Sequence, residues 1–243
     1  HSRPRVLSWR VATAVAHWLR RSPRRFLRLW SRSLGEAGPC PLALARAARR
    51  LVVATAFAHE ASLAGCERIH AHFAFSPGKV GRLVAELLGV PFSLSVHARD
   101  IYTQPYAAIK PLVDAADTVV CCTRHGLETI READAAVADK LLLARHGLDL
   151  AEYPDATPAG DLVLGIGRLV KKKGFCYLID ACDILRQRGC HAPCQIVGGG
   201  PLYEALRTMI ETVELGEAVK LAGPCTNEMV RHLLRSTAVL VLP

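Results

Sequence analysis

The sequence predicts an α/β protein of two doubly wound domains, each built on a parallel sheet. Three observations predict it. Short, continuously apolar segments alternate with longer segments of helical period, the pattern of buried parallel strands and their crossover helices. The alternation breaks at a Pro- and Gly-bearing stretch, residues 153–161, and then restarts. At 51% hydrophobic and 22% charged residues, the chain has enough apolar surface to fold. No apolar run reaches the roughly 18 residues of a membrane-spanning helix.

The elements follow in order. From Ser8 to Trp30 an amphipathic pattern runs through Trp9, Ala12, Val15, Ala16 and Leu19, is interrupted at Pro23, and resumes with Phe26, Leu27 and Trp30. A second helical stretch runs from Pro41 to about Ala64. In the first domain, strands are expected at 68–73, 92–96, 118–122 and 140–144. Helices are expected at 77–88, 107–115 and from the Thr123 cap to about Ala133. In the second, strands are expected at 162–166, 194–197, 219–222 and 238–242, with helices at 174–188, 201–213 and 227–234. The organisation is a basic helical arm (1–65) belonging to the first domain, the body of that domain (66–152), a linker (153–161) and the second domain (162–243).

Charge is uneven. Residues 1–50 hold twelve arginines, no lysine and one acid, Glu36, so they carry +11 of a chain whose net charge is +9; the remainder is slightly acidic. Such an arm suits an anionic lipid surface, with Arg20, Arg21, Arg24 and Arg25 as its contacts. No nucleic-acid recognition motif accompanies it, and nucleic acid is not an expected partner. The nine cysteines lack metal-finger spacing and read as reduced thiols of a cytoplasmic protein.

Three segments can carry chemistry. In LVLGIGRLVKKKG (162–174), a strand ends in Gly165-Ile166-Gly167, followed at once by Arg168; Lys171, Lys172 and Lys173 then lead to Gly174 and a helix. Arg168, Lys173 and the helix N-terminus can converge on a diphosphate, or the run is a solvated basic loop. It is neither a dinucleotide fingerprint, since Val170 stands where a third glycine belongs, nor a Walker loop. In IVGGGP (196–201), Gly198, Gly199 and Gly200 follow a strand and allow either close approach to a ligand or a tight turn. In FSLSVHARDIY (92–102), His97 follows a strand and reads either as a group that meets a sugar hydroxyl or as a structural histidine. His70 and His72 share a strand face but lack further ligands in sequence, so no metal site is expected.

These segments, in this order, resemble the GT-B glycosyltransferases of family 4, of the exopolysaccharide and colanic-acid type. HAHFAFSPG (70–78), GVPFSLSVHARDIY (89–102), ADTVVCCTRHGLETI (116–130), RHGLDLAEY (145–153), GIGRLVKKKGFCYLIDA (165–181), IVGGGPLYEAL (196–206) and VKLAGP (219–224) carry the resemblance. It implies two Rossmann-like domains and a retaining transfer of a hexose from a UDP- or GDP-sugar to a saccharide or lipid-linked acceptor, without a metal. Arg168 and Lys173 would neutralise the leaving diphosphate, and Gly167, Gly198, Gly199 and Gly200 would line the donor. His97 would touch the donor sugar, with His72, Arg99 and Asp100 on the acceptor side. A location on the inner face of the plasma membrane would follow from a lipid-linked acceptor. A sugar-nucleotide epimerase of the same fold and a non-catalytic sugar-nucleotide-binding fragment are the alternatives.

The sequence departs from the family at both ends. No strand and glycine-rich loop precede HAHF, Gly199 stands where many relatives carry Asp, and no E-x7-E element follows the last strand. Both domains are therefore expected to be incomplete, and the chain to be poorly active by itself.

Overall fold

The computed structural model of the chain describes residues 9–153 and 160–243, so residues 154–159 of the expected linker lie outside the described residues. The chain divides into two compact units, His1–Gly147 and Leu148–Pro243.

The first unit opens with three helices, α1 (Trp9–Arg21), α2 (Pro23–Gly35) and α3 (Pro41–Leu63). Pro23 and Pro41 sit at helix starts, where a missing N–H costs nothing. Then come β1 (Ile69–His72), α4 (Ser76–Leu88), β2 (Phe92–Val96), α5 (Ala98–Tyr102), α6 (Tyr106–Ala115), β3 (Thr118–Cys121), α7 (Arg124–Ala133) and β4 (Leu141–Leu143). The four strands form a parallel sheet in the order β1-β2-β3-β4. All of β2 is buried, as expected of a strand covered on both faces. Thr123 caps α7 as its sequence position suggests, accepting from the Gly126 N–H at 3.1 Å.

The basic arm is folded into this unit. Trp18, Phe26 and Leu29 form a core with Leu51, Ala54 and Ala58 of α3 and Leu83, Val84 and Leu87 of α4. Arg25 donates to the Leu87 carbonyl at 3.3 Å, at the end of α4 where a cation is favoured. Arg32 pairs with Glu86 at 2.6 Å. Arg20, Arg21 and Arg24 stay exposed, beside the exposed Leu19 and Leu27. Among the described residues no helix is long and apolar enough to cross a membrane.

The second unit contains β5 (Leu162–Ile166), α8 (Phe175–Gln187), β6 (Cys194–Val197), α9 (Tyr203–Thr212), β7 (Val219–Gly223), α10 (Asn227–Arg235) and β8 (Thr237–Val241). Its parallel sheet has the order β7-β6-β5-β8. The chain winds outward from β5 through β6 to β7, then returns to the other side of β5. The order therefore reverses at β5, and in open α/β sheets ligands bind beyond the carboxyl ends of the strands at such a reversal.

Glycines hold the strand ends of this unit together. Gly198 has φ 146°, and a Cβ there would collide with the Gly167 carbonyl oxygen; Gly200 has φ 158°, and its Cβ would meet the Leu169 oxygen at 2.5 Å. Both glycines thus serve the close crossing of the loops after β5 and β6. The Leu169 N–H donates to the Gly199 carbonyl at 3.0 Å and the Leu202 N–H to the Leu169 carbonyl at 3.1 Å. Gly198→Ala is expected to destabilise this unit by about 2–3 kcal/mol. Gly216, with nothing within 4 Å of its Cβ position, provides a neutral control. Equal urea midpoints for the two alanine variants would remove the crossing as the reason for Gly198.

Candidate active site

Each unit gathers polar groups at the carboxyl ends of its strands. In the second unit the group forms around the end of β5. Leu169 is 0% exposed and anchors the loop, so its neighbour Arg168 projects outward and is exposed. Residues Lys171–Lys173 form a 3₁₀ turn, and Gly174, in the left-handed region at φ 61°, ends it and starts α8. Sequence reasoning runs the basic residues straight into the helix; the intervening turn instead folds Lys173 back. Its stem lies with Cδ 3.7 Å from the Cβ position of Gly167, the residue before Arg168. Lys173 is half-buried, whereas Lys171 and Lys172 are exposed. The short side of Gly165 lets Phe175 and Leu178 pack directly on β5, which sets the start of α8 close to the strand end.

Among the described residues no carboxylate pairs with Arg168, Lys171, Lys172 or Lys173. Uncompensated cations beside a helix N-terminus, at the reversal of a sheet, make a site for a multiply charged anion. Gly167 belongs to this strand end; its N–H donates to the Val197 carbonyl at 2.9 Å. Gly199 faces Pro224, whose Cγ is 3.0 Å from its Cβ position.

In the first unit the gathering is aromatic and imidazole-rich. His97 directly follows β2, and His72 is the last residue of β1. The two approach at 3.4 Å between His72 Nδ1 and His97 Nε2. The Phe73 ring centroid lies 4.4 Å from that of His97, and the His146 ring lies 5.8 Å away at an interplanar angle of 3°. Cys122, the residue after β3, completes the group: single ligand atoms of His97, Cys122 and His146 all lie within 4.8 Å of one another. Burial holds the His97 imidazole below its usual pKa, and the neighbouring His72 and His146 act in the same direction, against Asp100. His97 is thereby kept neutral near pH 7, able both to donate and to accept a hydrogen bond.

Two features fix this group in place. Asp100 is 0% exposed, and its carboxylate accepts from the Ala74 N–H at 2.9 Å and the His97 N–H at 2.8 Å. It thereby clamps the loop after β1 to the loop after β2. Phe73 has φ 72°, unfavourable for a bulky residue by about 1–2 kcal/mol, which the Ser95 carbonyl helps to hold through the Phe73 N–H at 2.9 Å. Asp100→Asn places an NH2 against a backbone N–H. A loss of about 2–3 kcal/mol is expected. An unchanged denaturation midpoint would show that the clamp carries no stability.

Arg99 is exposed and its guanidinium carbon lies 4.9 Å over the Phe75 ring. His70 shares a face with His72 as expected, their rings 4.9 Å apart. Its two nitrogens meet the Ser93 and Ser95 hydroxyls at 2.8 and 3.0 Å, so it is a satisfied structural histidine. An open groove of about 550 Å³ passes from His72 and Phe73 to Phe57 and Val80. A neighbouring hollow of about 600 Å³, sharing Phe57 and Val80, is lined by Arg46, Arg49 and Arg50. Sequence reasoning passes over Phe73, Cys122, His146 and these arginines as site residues. The expected strand at 118–122 includes Cys122, whereas β3 ends at Cys121 and leaves Cys122 in the loop beyond it.

The second unit is similar to a known family. Residues 156–243 match the family described as glycosyl transferases group 1. Arg168, Lys173 and the three glycines of residues 198–200 all fall inside the matched segment. The chain is 32% identical over 109 residues to the putative colanic acid biosynthesis glycosyltransferase WcaL of Escherichia coli, covering 43% of this chain and 27% of that protein. It is 36% identical over 81 residues to the amylovoran biosynthesis glycosyltransferase AmsK of Erwinia amylovora, covering 33% of this chain and 20% of that one. The matches thus span less than a third of either relative. In structure the chain is similar to HepE of Anabaena, solved in complex with UDP, at a TM-score of 0.64 and 17% identity over 78% of this chain and 56% of that one. The fold is that of GT-B glycosyltransferases.

Proposed function

We propose that the chain belongs to a glycosyltransferase that moves a hexose from a UDP- or GDP-sugar to a saccharide or lipid-linked acceptor, with retention, in exopolysaccharide or cell-surface glycan synthesis. The observation that carries this reading is Arg168, without a carboxylate partner among the described residues, with Lys173 folded back over Gly167, at the end of β5 where the strand order reverses. The relatives named for colanic acid and amylovoran synthesis support the glycan class. HepE was solved with UDP, which supports a nucleotide-diphosphate donor.

In the proposed reaction, the bond from the anomeric carbon to the diphosphate oxygen breaks, the acceptor hydroxyl attacks from the same face, and its proton passes to the departing diphosphate. The transition state has oxocarbenium character, and negative charge grows on the leaving phosphate. Arg168, Lys173 and the amides at the start of α8 meet that charge, so the leaving group needs no metal. Preorganised charge of this kind is commonly the largest catalytic contribution. On the first unit, neutral His97 hydrogen-bonds a sugar hydroxyl, held by the Asp100 clamp and by Phe73. The groove from His72 and Phe73, joined to the arginine-lined hollow, suits an acceptor with an apolar body and an anionic head. Exposed Arg20, Arg21 and Arg24 suit the inner surface of an anionic membrane.

The test is release of nucleoside diphosphate by the whole protein from UDP- and GDP-hexoses, with and without glycan or lipid-linked acceptors, and the anomeric configuration of the product by NMR. Acceptor-dependent release with retained configuration is expected. Release without any acceptor would favour an epimerase, and an inverted product would contradict the mechanism.

A further inference from the structure

The proposed transfer uses His97 but leaves its neighbours Cys122 and His146 without a role. The three residues follow three adjacent parallel strands: His97 comes directly after β2, Cys122 directly after β3, and His146 three residues after β4. Neighbouring strands of a sheet lie about 4.8 Å apart, so the first residues beyond their ends meet. Here the meeting residues offer two imidazole nitrogens and a thiol, all within 4.8 Å of one another. No carboxylate belongs to the set. His97 and His146 face each other in nearly parallel planes with centroids 5.8 Å apart, which turns both rings toward the space that Cys122 also borders.

We infer that His97, Cys122 and His146 form a binding site for a borderline-soft divalent cation of the zinc class. A donor set of two nitrogens and one sulfur selects such ions over magnesium or calcium, which take oxygen. With metal–nitrogen bonds of about 2.0–2.1 Å and a metal–sulfur bond of about 2.3 Å, tetrahedral binding brings the donor atoms to about 3.3–3.6 Å from one another. The contraction needed is about 1 Å, and His146, exposed on the segment after β4, is free to supply it. His97 is the fixed member, because Asp100 holds its backbone and His72 contacts its ring. Three protein ligands leave a fourth position open to water or another small donor. On binding, the Cys122 thiol gives up its proton and the thiolate takes the ion; no oxidation or reduction is involved. The ion is not a participant in the proposed transfer, since it occupies the histidine that the transfer uses.

The inference stands apart from the sugar-transfer reading, and its test does not depend on activity. The reduced, chelator-stripped protein is titrated with Co²⁺ as a spectroscopic probe and then with Zn²⁺ in competition with a chromophoric chelator. One equivalent of Co²⁺ is expected to give the visible bands of a tetrahedral site and a sulfur-to-cobalt charge-transfer band. Zn²⁺ should displace it, and excess Mg²⁺ should not. Cys122→Ser should abolish the charge-transfer band, and His146→Ala should weaken Zn²⁺ binding by on the order of a hundredfold. Circular dichroism of both variants checks that they are folded. An absent charge-transfer band in the wild type, or the same band and affinity in all three proteins, would overturn the site and assign any bound metal to other thiols.

Discussion

Arg168→Ala is expected to lower the transfer rate of the whole protein by about a hundredfold or more, corresponding to ~3–4 kcal/mol of barrier. The size follows from the place of the charge. Arg168 stands at the reversal of the second sheet, exposed, with no carboxylate partner among the described residues. The backbone on either side is fixed without it, since Leu169 is buried and the Gly167 N–H is bonded to Val197. Among the described residues the guanidinium makes no hydrogen bond or ion pair, so its removal should not disturb the fold. Removing it should leave the melting temperature within the range of ordinary surface substitutions, about 0.5 kcal/mol of stability. Turnover and affinity for the nucleoside diphosphate should fall together. A variant with full turnover would refute the role of Arg168.

Trp18→Ala carries the largest expected loss of stability, about 3–5 kcal/mol. The indole is 1% exposed and its Nε1 donates to the Thr55 carbonyl at 3.3 Å. It lies in a core shared by α1, α2, α3 and α4, and α4 packs against the sheet that presents His72 and His97. A domain is stable by only about 5–15 kcal/mol, so such a loss is a large share of the total. Leu19→Ala, at 43% exposure one residue on, should have little effect. Urea denaturation distinguishes the cases: equal midpoints for the two variants would mean that α1 is a detached arm and not part of the unit.

The strands at 92–96, 162–166 and 194–197 are legible in the sequence with their observed boundaries, because continuous apolar runs between turn residues admit few alternatives. The five-residue helix α5 is not, since it holds a single turn and its capping groups, His97 and Asp100, read as chemistry rather than as structure. The N-terminal segment shows a different difficulty. Its arginines dominate the composition and suggest a surface arm, and the expected stripe of Trp9, Ala12, Ala16 and Leu19 is exposed; the buried face instead runs through Val11, Ala14 and Trp18, and Trp18 packs with Phe26 and Leu29 on α3 and α4, a pairing that no local pattern reveals. The glycines at 198–200 leave two readings open in sequence, and the structure gives Gly198 and Gly200 a definite task in the crossing of two loops. The cations at 168 and 173 are legible because they sit at one strand end. The grouping of His97, Cys122 and His146 is not, because it depends on the order of strands within the sheet.

Isothermal titration of the chain with UDP, GDP and the corresponding monophosphates, repeated with the Arg168→Ala/Lys173→Ala double variant, addresses the diphosphate site without requiring turnover. The wild type should bind the diphosphates more tightly than the monophosphates, and added salt should weaken that preference. The double variant should keep its melting temperature and lose the preference. Binding of UDP or GDP by the double variant with wild-type affinity would contradict the assignment of these two cations to the leaving diphosphate.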